Sequence, residues 1–428
     1  MKLSKTFCVL PWDHLATSTN GDIIPCCVAG KNGGMNLKSM SFKEAWNSEF
    51  MKDVRRKMMK GEEVSVCKRC YVEEAAGIES HRVLSNRHMW PYTGPYEELL
   101  EDTTEDGFYY GAIRSLDLRL GNTCNLKCVM CRPHESSKWA GDLAKVASFV
   151  TDEVVAIDFR SKAEFENEDY SWAKSPQFWD DVYKLLPKLR DIIMGGGEPF
   201  LIKEHNDFLK KCVELGFAQN IEIRVHTNGT VLPDEILELF VHFRQVEIMV
   251  SLDGLAEKNH YVRYPSNWAN IVSNLDKLDK TPDNTLIFVL GTMHALSVYD
   301  FPDVMRWLIS RNYKKVAMIY NFSFLPVQGI VHHPSYLSLQ VLSPEAKKAV
   351  RRRYQEFYEK DLVEYLKDKP EFIPEAIKRL NSTLDYMDQA DRSSELGQLR
   401  NFIYAIDKGR GTDFEKTFPE WSQILLKQ

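Results

Sequence analysis

The sequence lacks several things, and each absence narrows what it can be. No stretch of its 428 residues approaches the roughly 18 consecutive apolar residues of a membrane-spanning helix. Its opening, MKLSKTFCVLPWDHL, does not read as a secretion signal, because the apolar run is short and is broken by Pro11 and Asp13. A surplus of positive charge is also missing: 55 Lys and Arg stand against 61 Asp and Glu, a net charge of −6. That argues against unspecific nucleic-acid binding, which draws on a basic excess. There is no solenoid repeat and no low-complexity tract. The expectation is a cytoplasmic protein with no membrane partner and no nucleic-acid partner.

What is there is a packed interior and a supply of thiols. Hydrophobic content of 44% and aromatic content of 11% are ample for a core. The length suggests two or three domains. The nine cysteines are an odd number in a chain read as intracellular, where thiols stay reduced and serve as metal ligands or catalytic groups rather than in disulfides. The first hundred residues are rich in cysteine, glycine and turn residues around one helical stretch at 41–61, with Ser41 as its cap and Gly61 as its stop. PYTGPYEELLEDTTEDG (91–107) reads as a linker.

From 113 to about 326 the pattern alternates. Strand-like runs at 115–120, 190–195, 221–226, 246–252, 285–293 and 315–320 are separated by helical stretches at 133–147, 204–216, 233–243, 267–279 and 301–310. Such alternation implies an α/β fold, a parallel sheet with right-handed crossovers. A barrel, complete or not, and an open doubly wound sheet both fit. Residues 148–189 carry an insertion, acidic around EFENEDY, and after about 340 the chain turns helical and charged.

GNTCNLKCVMC (121–131) follows the first of these strands and places Cys124, Cys128 and Cys131 in a C-x3-C-x2-C spacing. Parallel α/β folds hold their chemistry at the carboxyl ends of strands. Soft thiolates select zinc, copper(I) or iron–sulfur clusters. Three on a short loop can hold three irons of a [4Fe–4S] cube and leave the fourth open. On spacing alone a zinc site remains an alternative, with His134 as a fourth ligand.

The wider pattern resembles the radical S-adenosylmethionine (radical SAM) superfamily. CNLKCVMC is similar to that family's cysteine signature, with Met130 where an aromatic residue is common. MGGGEPFL (194–201) resembles its GGE motif, VHTNGT (225–230) the segment after the third strand, and SLDG (251–254) the end of the fourth. The resemblance implies a partial (β/α)6 barrel of the TIM type over 113–330. It further implies a [4Fe–4S] cluster on Cys124, Cys128 and Cys131 and S-adenosylmethionine beside Met130, Gly196, Gly197, Glu198, Pro199, Asn228, Ser251 and Asp253. The implied activity is reductive cleavage of the sulfonium to a 5′-deoxyadenosyl radical that abstracts hydrogen from a substrate.

Cys8, Cys26, Cys67 and Cys70 form a second set, C-x12-G-x4-C followed by C-x2-C. It resembles the Twitch/SPASM auxiliary-cluster domain of the same enzymes, here placed before the barrel in a small α+β domain over 1–100. The resemblance implies a second [4Fe–4S] cluster taking part in electron transfer. Cys27 adjoins Cys26, and the spacing from Gly21 favours Cys26 as the ligand. Cys212 sits in a helical stretch and reads as a buried structural thiol, with a hydrogen-donor role for Cys212 or Cys27 as the sharper alternative. Arg263, Tyr264 and His294 near strand ends are candidate substrate contacts, against a reading in which they pack and cap loops. The expected partners are a peptide or small-molecule substrate and an electron donor such as flavodoxin or ferredoxin. The expected chemistry is net oxidation or maturation of that substrate. A redox-neutral epimerase or isomerase and a non-catalytic zinc scaffold are the competing readings. A helical C-terminal extension spans 340–428.

Overall fold

The computed structural model of the chain describes residues 3–30, 34–75, 79–160, 168–316, 319–320, 323–324 and 327–426. Ten strands are present among them: β1 (His14–Thr17), β2 (Ile23–Ile24), β3 (Ser115–Arg119), β4 (Asp191–Gly195), β5 (Glu222–Thr227), β6 (Gln245–Ser251), β7 (Thr285–Met293), β8 (Ile319–Tyr320), β9 (Ser323–Phe324) and β10 (Val327–Ile330). Eight of them hydrogen-bond in the order β10-β7-β6-β5-β4-β3-β1-β2, an open sheet. The pairings of β1 with β3, β3 with β4, β4 with β5 and β7 with β10 are parallel, and that of β1 with β2 is antiparallel. From β3 to β10 the order follows the chain, whereas a doubly wound sheet reverses its strand order part-way. The partial barrel is therefore the alternative that holds.

The sixth strand lies later than expected. Of 315–320, Val316 makes an isolated bridge to Ile287, and Ile319–Tyr320 pairs antiparallel with Ser323–Phe324. Residues 317–318 lie outside the described residues. The place beside β7 goes instead to β10, which offers four consecutive register positions, Val327 with Leu290 through Ile330 with Met293. The stretch 41–61 is two helices, Phe42–Trp46 and Glu49–Lys60, because Ser48 accepts from the Met51 amide and starts a second cap. Gly61 ends it at φ 75°, a conformation that glycine takes without a Cβ penalty. Within 91–107 lies a helix, Tyr96–Glu101, that buries Tyr96, Leu99 and Leu100, so the segment is packed rather than a linker. Part of the acidic EFENEDY stretch, 164–167, lies outside the described residues.

The chain divides into two compact units. The first comprises Met1–Thr123, Asp169–Val225 and Asp234–Val246. Its strands alternate as a parallel sheet requires. Leu116, Leu118, Ile192, Met194, Ile223 and Val225 are buried on one face. The other face carries Ser115, Asp117, Arg119, Asp191 and Arg224. At the amino ends His14 Nδ1 lies 2.6 Å from Ser115 Oγ, which donates to Asp191 at 2.7 Å. Arg224 pairs with the same carboxylate at 2.6 Å.

The second unit comprises Cys124–Glu168, His226–Pro233 and Glu247–Gln428. Its C-terminal part is helical: Pro344–Phe357, Ile373–Asp388, Leu396–Arg410 and Pro419–Leu425. Ser343 caps the first by accepting from Ala346 N. Trp421 on the last is buried, donates to Ala295 O at 2.9 Å and stacks on Tyr299 at 4.8 Å. Among the described residues, no helix is long and apolar enough to cross a membrane.

Candidate active site

Two backbones meet closely at the carboxyl ends of β3 and β4. Gly197 N donates to Gly121 O at 3.1 Å, and Glu198 N donates to Thr123 O at 2.8 Å. A Cβ on Gly197 would lie 2.1 Å from Thr123 O, and Gly196 sits at φ +84°. Both glycines of the GGEP segment are thus dictated by this approach. Their amides tie down the residues that lead into Cys124. Glu198 is buried, and its carboxylate accepts from Phe200 N at 3.3 Å, starting the turn that contains Pro199.

The cysteine loop that follows is anchored from several sides. Lys127 N donates to Tyr264 O at 2.6 Å, Val129 N to Val262 O at 2.8 Å, and Trp139 Nε1 to Cys128 O at 2.9 Å. Arg132 Nη1 donates to Val129 O at 3.2 Å and Cys131 O at 2.8 Å. Asn228 Nδ2 donates to Asn125 Oδ1 at 2.9 Å and lies 3.9 Å from Cys124 Sγ. Cys124, Leu126 and Cys128 are buried together, with Met130 and Cys131 packed against them. The hydrogen bond between Cys128 and Cys131 holds the first thiol below its ordinary range; with burial, it pushes the second above.

Asp253 and Arg263 form a buried ion pair at 2.7 Å. Asp253 Oδ1 also accepts from Thr292 N at 2.6 Å, and Arg263 Nη2 donates to Thr292 Oγ1 at 3.1 Å. Ser251, two residues before Asp253, is half-buried. Tyr264 lies between Lys127 and Arg410, with cation-to-ring distances of 5.2 and 5.3 Å. His294 is buried, its Nδ1 accepting from Leu296 N at 3.2 Å, and burial holds its pKa down at about 4, so it is neutral. Arg263, Tyr264 and His294 are brought to the same region but are engaged in packing and internal bonds. Arg410, in the C-terminal extension, joins them; no motif in its neighbourhood points to the cysteine loop.

In the first unit Cys8, Cys26 and Cys70 are buried and Cys67 half-buried. Burial pushes Cys8 up to about 12 and Cys67 to about 11, and raises Cys26 and Cys70 as well. Cys8 feels Cys67 and Cys70, and Cys26 feels Cys27, Cys8 and Cys67. Cys27 turns elsewhere: its thiol is 3.8 Å from His81 Nε2, and after burial its strongest influences are Asp117, Arg119 and Arg224. Cys212 is fully buried in Lys203–Glu214.

Donor chemistry tests which metal group these thiols fit. Among the described residues, the set of three His, Cys, Asp or Glu donor atoms lying within 4.8 Å of one another is His88, Asp191 and Glu222, which contains no cysteine. Arg224 and Arg244 pair with its two carboxylates at 2.6 and 3.5 Å. The two cysteine sets offer only sulfur donors, three in one and four in the other, a chemistry that fits iron–sulfur cubes.

Residues 118–307 match the family model of the Radical SAM superfamily, and residues 8–71 match that of an iron–sulfur cluster-binding domain, SPASM. The chain carries a radical SAM domain with a SPASM domain before it. The first implies a [4Fe–4S] cluster and S-adenosylmethionine, and the second implies further iron–sulfur binding. No curated protein matches the sequence. Solved structures similar to this radical SAM protein include a histidine-tagged anSMEcpe with bound AdoMet, 16% identical over 60% of this chain and 60% of that one, with a TM-score of 0.39. Streptococcus suis SuiB bound to precursor peptide SuiA is 12% identical over 71% of this chain and 60% of that one, with a TM-score of 0.34. The chain thus spans 60% of the length of each of these two structures.

Proposed function

We propose that this radical SAM protein is an enzyme with two [4Fe–4S] clusters that oxidises or matures a peptide or small molecule. Cys124, Cys128 and Cys131 hold one cluster and Cys8, Cys26, Cys67 and Cys70 the other. In this reading residues 1–100 form the auxiliary-cluster domain, 113–330 the barrel and 340–428 a helical extension. S-adenosylmethionine held at the first of these clusters would supply a 5′-deoxyadenosyl radical as the group that takes hydrogen from the substrate. The backbone of the GGEP segment, Gly196, Gly197, Glu198 and Pro199, would hold the cofactor's amino end. Met130 would offer adenine a polarisable apolar contact, and Asn228 and Ser251 are further candidate contacts. Four protein thiolates close the auxiliary cluster, so electron transfer is its simplest role. A flavodoxin or ferredoxin supplies electrons.

The observation that carries this reading is a loop of three buried or half-buried thiols, Cys124, Cys128 and Cys131, gathered with Met130 in one cluster. Anaerobic reconstitution tests it. About eight irons per chain are expected, from two four-iron cubes, falling by about four in Cys124→Ala or Cys67→Ala. Stoichiometric zinc without iron uptake would refute it.

A further inference from the structure

We propose that the C-terminal extension completes the three-cysteine site by delivering Arg410 as a buried cation that sets the reduction potential of the cluster held there. The inference rests on Cys124, Cys128 and Cys131 being the ligands of that cluster.

Arg410 is the last residue of the helix Leu396–Arg410, and its side chain is 1% exposed. Its Nη2 donates to Lys127 O at 2.6 Å, inside the cysteine loop, although 283 positions separate the two residues. Its Nε donates to Asp142 Oδ2 at 3.2 Å, and its guanidinium lies 4.4 Å from the Trp139 ring. Trp139 in turn holds the Cys128 carbonyl. Asp142 also pairs with Lys127 Nζ at 2.6 Å, so one carboxylate serves two cations. Arg410 Nη1 is buried with no hydrogen-bond partner among the described residues. Cys128 is among the groups whose charge Arg410 feels.

The extension is shaped to bring this group in. A Cβ on Gly409 would lie 2.6 Å from Val146 Cγ2, so the glycine lets the helix end press against Trp139–Ala147. Gly411, at φ +71°, then stops the helix. A cube with three thiolates is anionic and becomes more so on reduction. A fixed, dehydrated cation beside it favours the reduced form and raises the potential. Arg410 is thus a positioning residue for the cluster and its loop.

The test is a redox titration of the reconstituted full-length protein. It follows the paramagnetic signal that changes when S-adenosylmethionine is added, which separates the open-site cluster from the auxiliary one. Arg410→Gln should move its midpoint to lower potential, Arg410→Lys should stay near the unmodified value, and Asp142→Asn should move it upward. Arg351→Gln, which removes an exposed cation paired with Asp388 in the same extension, should leave it unchanged. Equal midpoints in the unmodified protein and Arg410→Gln, or equal shifts in Arg410→Gln and Arg410→Lys, overturn the proposal and leave a packing role. Where Arg410→Gln takes up no iron, an unmoved midpoint in Asp142→Asn overturns it. A protein with no signal that responds to the cofactor fails at the underlying site reading instead.

Discussion

Replacing Gly197 with alanine tests the close approach on which the site is built. The new Cβ would stand 2.1 Å from Thr123 O, 2.5 Å from Thr123 C and 2.7 Å from Asn122 C. Ordinary contact is roughly 3.5 Å, so about 1.4 Å must be made up by moving backbone, with no flexible side chain to yield. Overpacking of this kind costs about 1–3 kcal/mol. The displacement also breaks the bonds from Gly197 N to Gly121 O and Glu198 N to Thr123 O, each worth about 1 kcal/mol. The sum, about 3–5 kcal/mol, is a large share of the roughly 5–15 kcal/mol that holds a folded protein. Because Thr123 precedes Cys124, iron retention should fall with stability. The assay is anaerobic urea unfolding alongside iron content after gel filtration. Gly141→Ala is the comparison: nothing lies within 4 Å of its added Cβ, inside the helix Trp139–Ala147, so it should stabilise by about 0.5–1 kcal/mol. A Gly197→Ala protein with the iron content and unfolding midpoint of the unmodified chain would refute the reasoning.

Three further outcomes are expected. Cys26→Ala should lose about four irons per chain, one cube, while Cys27→Ala keeps them, because Cys26 joins the field of Cys8 and Cys67 and Cys27 turns to His81; equal losses would show the two to be interchangeable. His205 is buried against Gly195 O at 3.2 Å, and burial lowers its pKa to about 4. The unfolded chain therefore binds the proton first, and the stability that neutral His205 contributes is complete above about pH 6.5 and lost as pH falls toward 4, by about 1.4 kcal/mol per pH unit. His205→Gln should flatten the dependence of the unfolding midpoint between pH 6.5 and 4.5, and an unchanged slope would count against it. Trp139→Phe removes the donor to Cys128 O and should cost about 1 kcal/mol with faster iron loss to a chelator; unaltered loss would assign the indole to packing alone.

Much of the sheet was legible because its strands are short apolar runs bounded by turns. The run 285–293 matches β7 in full, and those at 115–120, 190–195, 221–226 and 246–252 match β3 to β6 within a residue at each end. The run 315–320 misled because its apolar pattern satisfies a strand locally, while the register beside β7 is taken over four residues by Val327–Ile330. The addition of β1 and β2 to the sheet next to β3 was not legible either. HLAT and II carry no signal that names a distant partner, and strand pairing is decided by which edges meet.

The sequence by itself placed two sets of thiols, Cys124, Cys128 and Cys131 in one and Cys8, Cys26, Cys67 and Cys70 in the other, because ligand spacing is a local property; on spacing alone zinc and an iron–sulfur cube both remained, and the surrounding motifs favoured the cube. It also showed Gly196 and Gly197 as part of a motif, whereas the reason for them, carbonyls 2.6 and 2.1 Å from where a side chain would be, belongs to the fold. Tertiary structure alone decided what surrounds the thiols. It turned Cys26 and Cys27 to different neighbours, committed Arg263 to Asp253, and buried Arg410 against a loop 283 positions away. Those outcomes depend on which elements pack together, and burial makes them consequential, because a charge removed from water acts on its neighbours with little screening.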